Sequence, residues 1–255
     1  MLRKLLYILL SVVLLYSCTR ENLLSGPGRV RLSVDSLSFD TVFTSTGSIT
    51  KSFKIVNDNN QKLVLSSVAL MGGNNSFFNM NVDGISGKSV NNIEIEAHDS
   101  LYVFVSVSID PNGNNQPFLI EDSILIRYNQ GERKLPLQAW GQNAHFLRDV
   151  VIVGNEIWTN DLPYVILGGI QVDTGASLTI LQGCQIYLHA NAPFIVDGTL
   201  LVNGTKSDSV VFRGDRLDEG YREFPGSWPG IYFRGESTEN ILTYVHVKNA
   251  YQGIV

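Results

Sequence analysis

The last third of the chain consists of very short apolar runs separated by Gly, Asn, Asp and Pro. This spacing is wrong for helices and too dense for the hairpins of a β-sandwich. It is typical of a solenoid, in which each strand stacks on the equivalent strand one coil later. Within such coils we expect inward rows of apolar side chains from Leu178, Ile180, Ile186, Ile195, Leu200, Val202, Val210, Phe212, Ile231, Phe233, Val245 and Val247.

Glycines punctuate the same region and predict the corners of the coils. They are Gly169, Gly175, Gly183, Gly198, Gly204, Gly214, Gly230 and Gly253. The pattern indicates about four coils and ends on Gly253-Ile254-Val255. A solenoid end exposes an apolar ladder unless a polar cap covers it. We therefore expect a solenoid truncated at its C-terminal end, which continues in a longer chain or is covered by another chain.

Residues 30–146 carry a different pattern, in which apolar and polar residues alternate between Asn- and Gly-rich turns. In the clearest run, period two turns Tyr102 and Phe104 to one face and the intervening Val103 to the other. Several such runs at short, regular spacing predict an antiparallel β-sandwich. The whole chain is therefore expected to be all-β.

The first residues indicate export. Arg3 and Lys4 precede an apolar run over residues 5–15, which is too short to span a bilayer stably. The motif Leu15-Tyr16-Ser17-Cys18 follows. It resembles a bacterial lipoprotein signal, which implies a signal peptide over residues 1–17, cleavage before Cys18, and acylation of both the sulfur and the amino group of Cys18. Residues 18–29 then form a polar tether.

The same resemblance implies a location. In the sorting rule of well-known Gram-negative lipoproteins, Asp after the lipidated cysteine retains the protein at the inner membrane, whereas this chain has Thr19. We therefore expect a cell-envelope protein anchored in the outer membrane by acyl chains such as palmitate, and the leaflet stays open. An ordinary secretory signal with an incidental cysteine is the alternative.

Residues 30–146 also resemble a known family, the immunoglobulin-like domains of the abnormal-spindle/Hydin type. The resemblance implies a spacer or adhesion module rather than a catalyst. It depends on the order of loose motifs, namely Leu37-Ser38-Phe39-Asp40-Thr41-Val42-Phe43, Phe53-Lys54-Ile55-Val56-Asn57, His98-Asp99-Ser100-Leu101, Ser106 with Ile109-Asp110-Pro111, and Leu137-Gln138-Ala139-Trp140-Gly141.

Residues 147–255 resemble the entry coils of the pectin-lyase-like superfamily, whose fold is a right-handed parallel β-helix. The combined order of the motifs is more specific than any one of them. They are Gly175-Ala176-Ser177-Leu178-Thr179-Ile180, Val196-Asp197-Gly198-Thr199-Leu200, Asn203-Gly204-Thr205, Val210-Val211-Phe212, Trp228-Pro229-Gly230-Ile231-Tyr232-Phe233 and Ala250-Tyr251-Gln252-Gly253-Ile254.

Composition and charge narrow the function classes. The chain has 255 residues, of which 17% are charged, and a formal net charge of -5. Loss of Arg3 and Lys4 with the signal would make it more acidic. An acidic protein without a basic stripe is a poor ligand for nucleic acid, because phosphate neutralisation dominates that affinity. We therefore expect no nucleic-acid partner.

Candidate chemistry is sparse. Cys184 is expected to be a buried apolar residue, with a catalytic thiol as the alternative. A charged stretch over residues 213–223 and nearby aromatic residues could contact glycans through Tyr221, Arg222, Trp228 and Tyr232. The alternative is a solvated insertion between two coils. The sequence predicts no catalytic residue, metal site or cofactor.

One short motif recurs in the form Asp, hydroxyl residue, aliphatic residue. It resembles the O-glycosylation acceptor motif of a large group of Gram-negative bacteria, and the alternative is a turn that ends where a strand begins. The candidate acceptors are Ser36, Thr41, Ser100, Ser123 and Ser209.

These features favour an envelope lipoprotein that is a non-catalytic adhesion or glycan-contacting module. One alternative is a polysaccharide lyase or hydrolase whose active site lies in coils beyond Val255. The other is a purely structural component of the envelope.

Overall fold

The computed structural model describes residues 23–44, 47–110 and 118–255. This part of the chain contains β-strands, one short 3₁₀ helix at Gly73–Asn75 and no α-helix. None of its helices is long and apolar enough to cross a membrane. The expected signal peptide and the expected lipidation site Cys18 lie outside the described residues.

The first ten strands form two five-stranded sheets with the orders β1-β3-β8-β5-β6 and β2-β10-β9-β4-β7. The pairs β1–β3, β3–β8, β4–β7, β4–β9 and β5–β6 are antiparallel, whereas β2 runs parallel to β10. The strands are β1 Val30–Leu32, β2 Leu37–Phe43, β3 Lys51–Asn57, β4 Leu63–Leu70, β5 Phe78–Val82, β6 Ile85–Ser86, β7 Ser89–Ile95, β8 Ser100–Val107, β9 Phe118–Tyr128 and β10 Gly131–Gln142.

The described residues fall into two compact units. The first comprises the described residues up to Ser36 together with Lys51–Val105 and Asp122–Pro136. The second comprises the described residues of Leu37–Thr50 and Ser106–Glu121, together with Leu137–Val255.

The core of the first unit follows from the predicted alternation. Along β8, Tyr102 and Phe104 are exposed whereas Val103 and Val105 are buried. This confirms the predicted faces of that strand. The buried core also contains a polar group, because the side chain of Asn57 donates to the carbonyl oxygens of Gln61, Ile95 and Glu96 at 2.9–3.0 Å. A buried amide is tolerated when its hydrogen bonds are made within the protein.

The remaining eleven strands pair only in parallel, and we call them the parallel stack. Their sheets have the orders β19-β16-β13-β15-β18-β21, with β11 also pairing β13, and β12-β14-β17-β20. The strands are β11 His145–Ile152, β12 Asn155–Trp158, β13 Tyr164–Val172, β14 Ser177–Leu181, β15 Gln185–Leu188, β16 Phe194–Val196, β17 Thr199–Asn203, β18 Val210–Gly214, β19 Ile231–Phe233, β20 Ile241–Thr243 and β21 Val245–Val247.

The all-β class, with antiparallel sheets first and parallel strands afterwards, is therefore as predicted. Equivalent positions of successive strands lie side by side, as in Leu178↔Leu200 and Ile180↔Val202. These side chains are buried, because parallel pairing in register brings like positions to the same side of the sheet.

The predicted inward rows are correct at most positions but wrong at Ile195. In β16 the buried residues are Phe194 and Val196, and Ile195 between them is half-buried. Period two allows only one parity to face inward, and the register Phe194↔Ile231 fixes which one. The rows are also more aromatic than expected, since the rings of Phe194 and Phe212 meet edge to face at 5.5 Å.

Two glycines show why the chain needs them at its corners. Gly230 has φ +139°, a conformation that L side chains rarely adopt, and a Cβ there would collide with the carbonyl of Gln252. A Cβ at Gly198 would collide with the carbonyls of Ala176 and Asp173. Backbone therefore packs directly on backbone at these two positions.

Replacing one inward leucine tests the stacking. We expect Leu200→Ala to lower the free energy of unfolding by about 2–5 kcal/mol, because it leaves a cavity in a fully buried row. The adjacent Leu201→Ala is the matched control, since Leu201 is half-buried and should cost less than half as much. Urea unfolding of both variants measures the difference. Equal losses would mean that Leu200 does not face inward.

Candidate functional site

A column of polar side chains arises from the register of the parallel stack. Arg148 pairs with Leu167 across β11 and β13. His189 directly follows β15 and Asp215 directly follows β18, and these strands end on the pair Leu188↔Gly214. Parallel pairing therefore places His189 beside Asp215, and the His189 Nδ1 to Asp215 Oδ2 distance is 2.6 Å.

This column forms one wall of a cleft of about 460 Å³ in the second unit. β2 also lines the cleft, through all five residues from Phe39 to Phe43. β2 is the terminal strand of its sheet among the described strands. The other lining residues are Gly47, Ser48, Ile49, Arg148, Val165, Leu167, Gly168, His189, Asn191, Asp215, Arg216, Leu217 and Asp218.

The cleft has a mixed, slightly acidic lining. Its charged members are three aspartates and two arginines, and His189 lies among them. Arg216 reaches Asp218 through two hydrogen bonds of 2.6 and 2.9 Å. That hydrogen bonding raises the pKa of Arg216 further above its ordinary value. Arg148 makes no ion pair with any residue in the described ranges.

Asp218 organises the insertion between β18 and β19, which contains the charged stretch. Its carbonyl oxygen accepts hydrogen bonds from the backbone N–H groups of Tyr221 and Arg222. The Arg213 side chain donates to the carbonyl oxygen of Arg222 at 2.7 Å. The backbone N–H of Glu219 also donates to Asp40 at 3.2 Å, which ties the insertion to β2. The insertion is therefore an ordered part of the cleft wall.

Two of the four predicted glycan-contact residues lie on the surface of this insertion. Tyr221 is 53% exposed, and the guanidinium of Arg216 lies 4.2 Å from the centre of its ring. Arg222 is exposed. Arg216 lines the cleft and also contacts the ring of Tyr221, so Tyr221 lies next to a residue of the cleft wall.

The other two predicted residues serve the packing of the chain. Trp228 is 1% exposed and its indole N–H donates to the carbonyl of Lys248 at 2.8 Å. Because the ring is buried, neither of its faces can stack on a sugar. Tyr232 is half-buried, and its hydroxyl group lies 3.1 Å from Gln252.

A second charged group links three successive turns of the chain. Asp197 accepts hydrogen bonds from Arg234 and, at 2.7 Å, from Gln171. The Arg234 hydrogen bond is the main reason that the pKa of Asp197 is lowered. Asp197 is buried beside the Gly198 corner, so this group braces the parallel stack.

The described members of the recurring Asp-hydroxyl-aliphatic motif differ in exposure. Ser36 is exposed in the segment between β1 and β2. Thr41, Ser100 and Ser209 are half-buried, and Ser123 is buried. Thr41 also lines the cleft.

Sequence reasoning missed Arg148, His189 and Asp40 as candidate site residues. Each comes from a different segment, and only the strand register and the fold bring them together. Among the described residues, no group of three or more His, Cys, Asp or Glu side chains could hold a metal ion.

No protein-family model matches the chain, and no curated protein matches it significantly. Similar solved structures include a protein of unknown function from Porphyromonas gingivalis, 20% identical over 49% of this chain and 50% of that chain, with a TM-score of 0.33. A family 123 glycoside hydrolase from Clostridium perfringens is 8% identical over 45% and 26%, with a TM-score of 0.32. An ASH/PapD-like domain of a human protein is 15% identical over 45% and 84%, with a TM-score of 0.28.

The chain thus spans about half the length of the Porphyromonas gingivalis structure and about a quarter of the hydrolase. At these scores, the likenesses carry no argument about function.

Cys184 is the buried apolar residue that the sequence predicted. Its side chain is fully buried, and its sulfur lies 3.6 Å from the carbonyl oxygen of Trp158. Burial raises the pKa of the thiol to about 11, because the thiolate would be desolvated.

We expect Cys184 in the folded protein to be inert toward a disulfide reagent near pH 8, where almost no thiolate forms. The measurement is the release of the reagent's leaving group by a Cys18→Ser variant, in which Cys184 is the only cysteine. Unfolding in guanidinium should make the same thiol react fully. Rapid reaction of the folded protein would mean that Cys184 is accessible, and it would favour the alternative that Cys184 is a catalytic thiol.

Proposed function

We propose that this chain is an envelope lipoprotein that is anchored through Cys18 and contacts glycans without turning them over. The observation that carries the glycan part is the cleft of about 460 Å³, which combines carboxylates with apolar side chains. Ionised carboxylates accept hydrogen bonds from sugar hydroxyl groups, and apolar side chains cover the C–H faces of sugar rings. The anchor part rests on the sequence around Cys18.

We further infer that residues 147–255 form a right-handed parallel β-helix and that residues 30–146 form an immunoglobulin-like spacer. The parallel register of successive strands supports the β-helix. Its right hand follows the general rule for crossovers between parallel strands. The two five-stranded sheets formed by β1–β10 support the immunoglobulin-like spacer.

The polar groups of the cleft differ in how far they are engaged within the protein. His189 is paired with Asp215, and Asp218 is paired with Arg216. Asp40 accepts one hydrogen bond from the backbone N–H of Glu219, and neither Asp40 nor Arg148 makes an ion pair within the described residues, so both keep hydrogen-bonding capacity for a ligand. These charged groups can recognise sugar hydroxyl groups, and the search for shortened glycan described below tests whether the His189–Asp215 pair also transfers protons.

Glycan binding can be tested on an array of bacterial and host glycans, followed by titration of the best ligand. We expect Asp40→Asn or Arg148→Gln to weaken binding at least about tenfold, because each removes a charged hydrogen-bonding group. The matched controls Glu236→Gln and Lys248→Gln remove charges outside the cleft and should leave affinity unchanged. Equal affinity of all variants would exclude the cleft as the site, and release of shortened glycan would contradict the non-catalytic part.

The lipid anchor can be tested in cells. We expect Cys18→Ser to move the protein from the membrane fraction to the soluble fraction and to abolish labelling by a palmitate analogue, because several acyl chains give durable anchoring. Cys184→Ser is the matched control and should retain both properties, since Cys184 is fully buried. Labelling that survives Cys18→Ser would refute the anchor.

For O-glycosylation, exposure favours Ser36 among the five candidate acceptors. We expect intact-mass measurement of the native protein to show added sugar that Ser36→Ala removes or reduces. Ser123→Ala should not change the added mass, because Ser123 is buried. Native protein without added sugar would remove the proposal.

A further inference from the structure

The first unit contains a second cleft, whose lining is basic although the protein as a whole is acidic. Its volume is about 520 Å³. Four cationic side chains line it, whereas only two acidic ones do, so the lining is net positive. The cations are Arg29, Arg31, Arg133 and Lys134, and the acids are Asp35 and Asp58. We call this the basic cleft.

Most of this positive charge is not neutralised within the protein. Arg31 pairs with Asp58 at 3.2 Å. Arg133 donates to the carbonyl oxygen of Val30 at 3.3 Å, which leaves its charge uncompensated. Within the described ranges, neither Arg29, Arg133 nor Lys134 makes an ion pair with an acidic group. All three are exposed.

Covalent reach limits how far this surface can lie from the expected anchor. Leu23 forms a bridge with Lys62, and the N–H of Leu24 donates to the carbonyl of Lys62 at 2.8 Å, so the chain is docked on the first unit from Leu23 onward. Five residues from Cys18 to Leu23 span at most about 18 Å when fully extended. The basic cleft begins at Gly28, five residues later.

We propose that the basic cleft is a membrane-contact surface that binds the anionic headgroups of the leaflet holding the lipid anchor. This proposal rests on the proposed function, because the lipid anchor is part of that function. An anionic leaflet attracts basic residues that lie within about a Debye length of it, which is about 8 Å at physiological ionic strength. Three exposed and unpaired cations near one anionic surface therefore add electrostatic binding to the acyl chains, and they orient the first unit against the membrane.

The proposal is tested without the lipid. The protein starts at residue 18, carries Cys18→Ser and retains every described residue. Its binding to phosphatidylcholine vesicles is measured by co-sedimentation, with and without one third phosphatidylglycerol. The test variant combines Arg29→Gln, Arg133→Gln and Lys134→Gln. The control variant combines Arg127→Gln, Lys206→Gln and Lys248→Gln, which removes the same charge from positions outside the basic cleft.

We expect binding only to the anionic vesicles at low salt, with a loss of at least about tenfold in the test variant, since each basic residue is worth about fivefold near such a surface. The control variant should lose less than about twofold in vesicle affinity. Inorganic phosphate should compete no better than sodium chloride at the same ionic strength. Equal losses in both variants, no dependence on phosphatidylglycerol, or specific competition by phosphate would each overturn the proposal. Because Cys18 is absent throughout, failure here leaves the palmitate test of the anchor unaffected.

Discussion

The parallel register of β13, β15 and β18 is the constraint on which the second unit depends. Each strand contributes the same parity of side chains to the interior, so Ile166, Leu188 and Gly214 lie in one row. The next residue of each strand must then point to the other side. That is why the polar residues Arg148, His189 and Asp215 line up with Leu167 on the cleft wall, and why the core and the site cannot be changed independently.

Backbone packing reinforces this register. At Gly198 and Gly230 one turn of the chain lies directly against another, so any side chain there would push the strands apart. The Asp197–Arg234 ion pair lies beside the Gly198 corner. The insertion between β18 and β19 leaves the stack and returns to it without disturbing the register, since Phe194↔Ile231 restores the pairing. A long insertion can therefore be accommodated between two strands without a change of register.

The sequence was informative wherever a local pattern decides the structure. Alternation predicted the faces of β8, and the short punctuated runs predicted parallel stacking. It failed where two parities were both plausible, as at Ile195, because Phe194 and Val196 are equally apolar. It also failed for Trp228, whose aromatic character suits either a sugar or a core, and only burial distinguishes them.

The cleft could not have been predicted from local patterns. Asp40 and Arg148 are more than a hundred positions apart, and the motifs that contain Asp40 give no sign of a cleft. The basic cleft was hidden for a different reason, because an acidic total charge conceals a local excess of cations such as Arg133 and Lys134. Both sites depend on long-range pairing, which composition and periodicity do not encode.

The most direct measurement of the central claim is a register test by disulfide trapping. In a protein that carries Cys18→Ser and Cys184→Ser, the pair Thr179→Cys and Leu201→Cys occupies directly opposite positions on the half-buried face of β14 and β17. The parallel register predicts that this pair forms a disulfide under mild oxidation. The pair Thr179→Cys and Asn203→Cys is two positions out of register and should not form one. Efficient trapping of the second pair but not the first would contradict the parallel register and the account built on it.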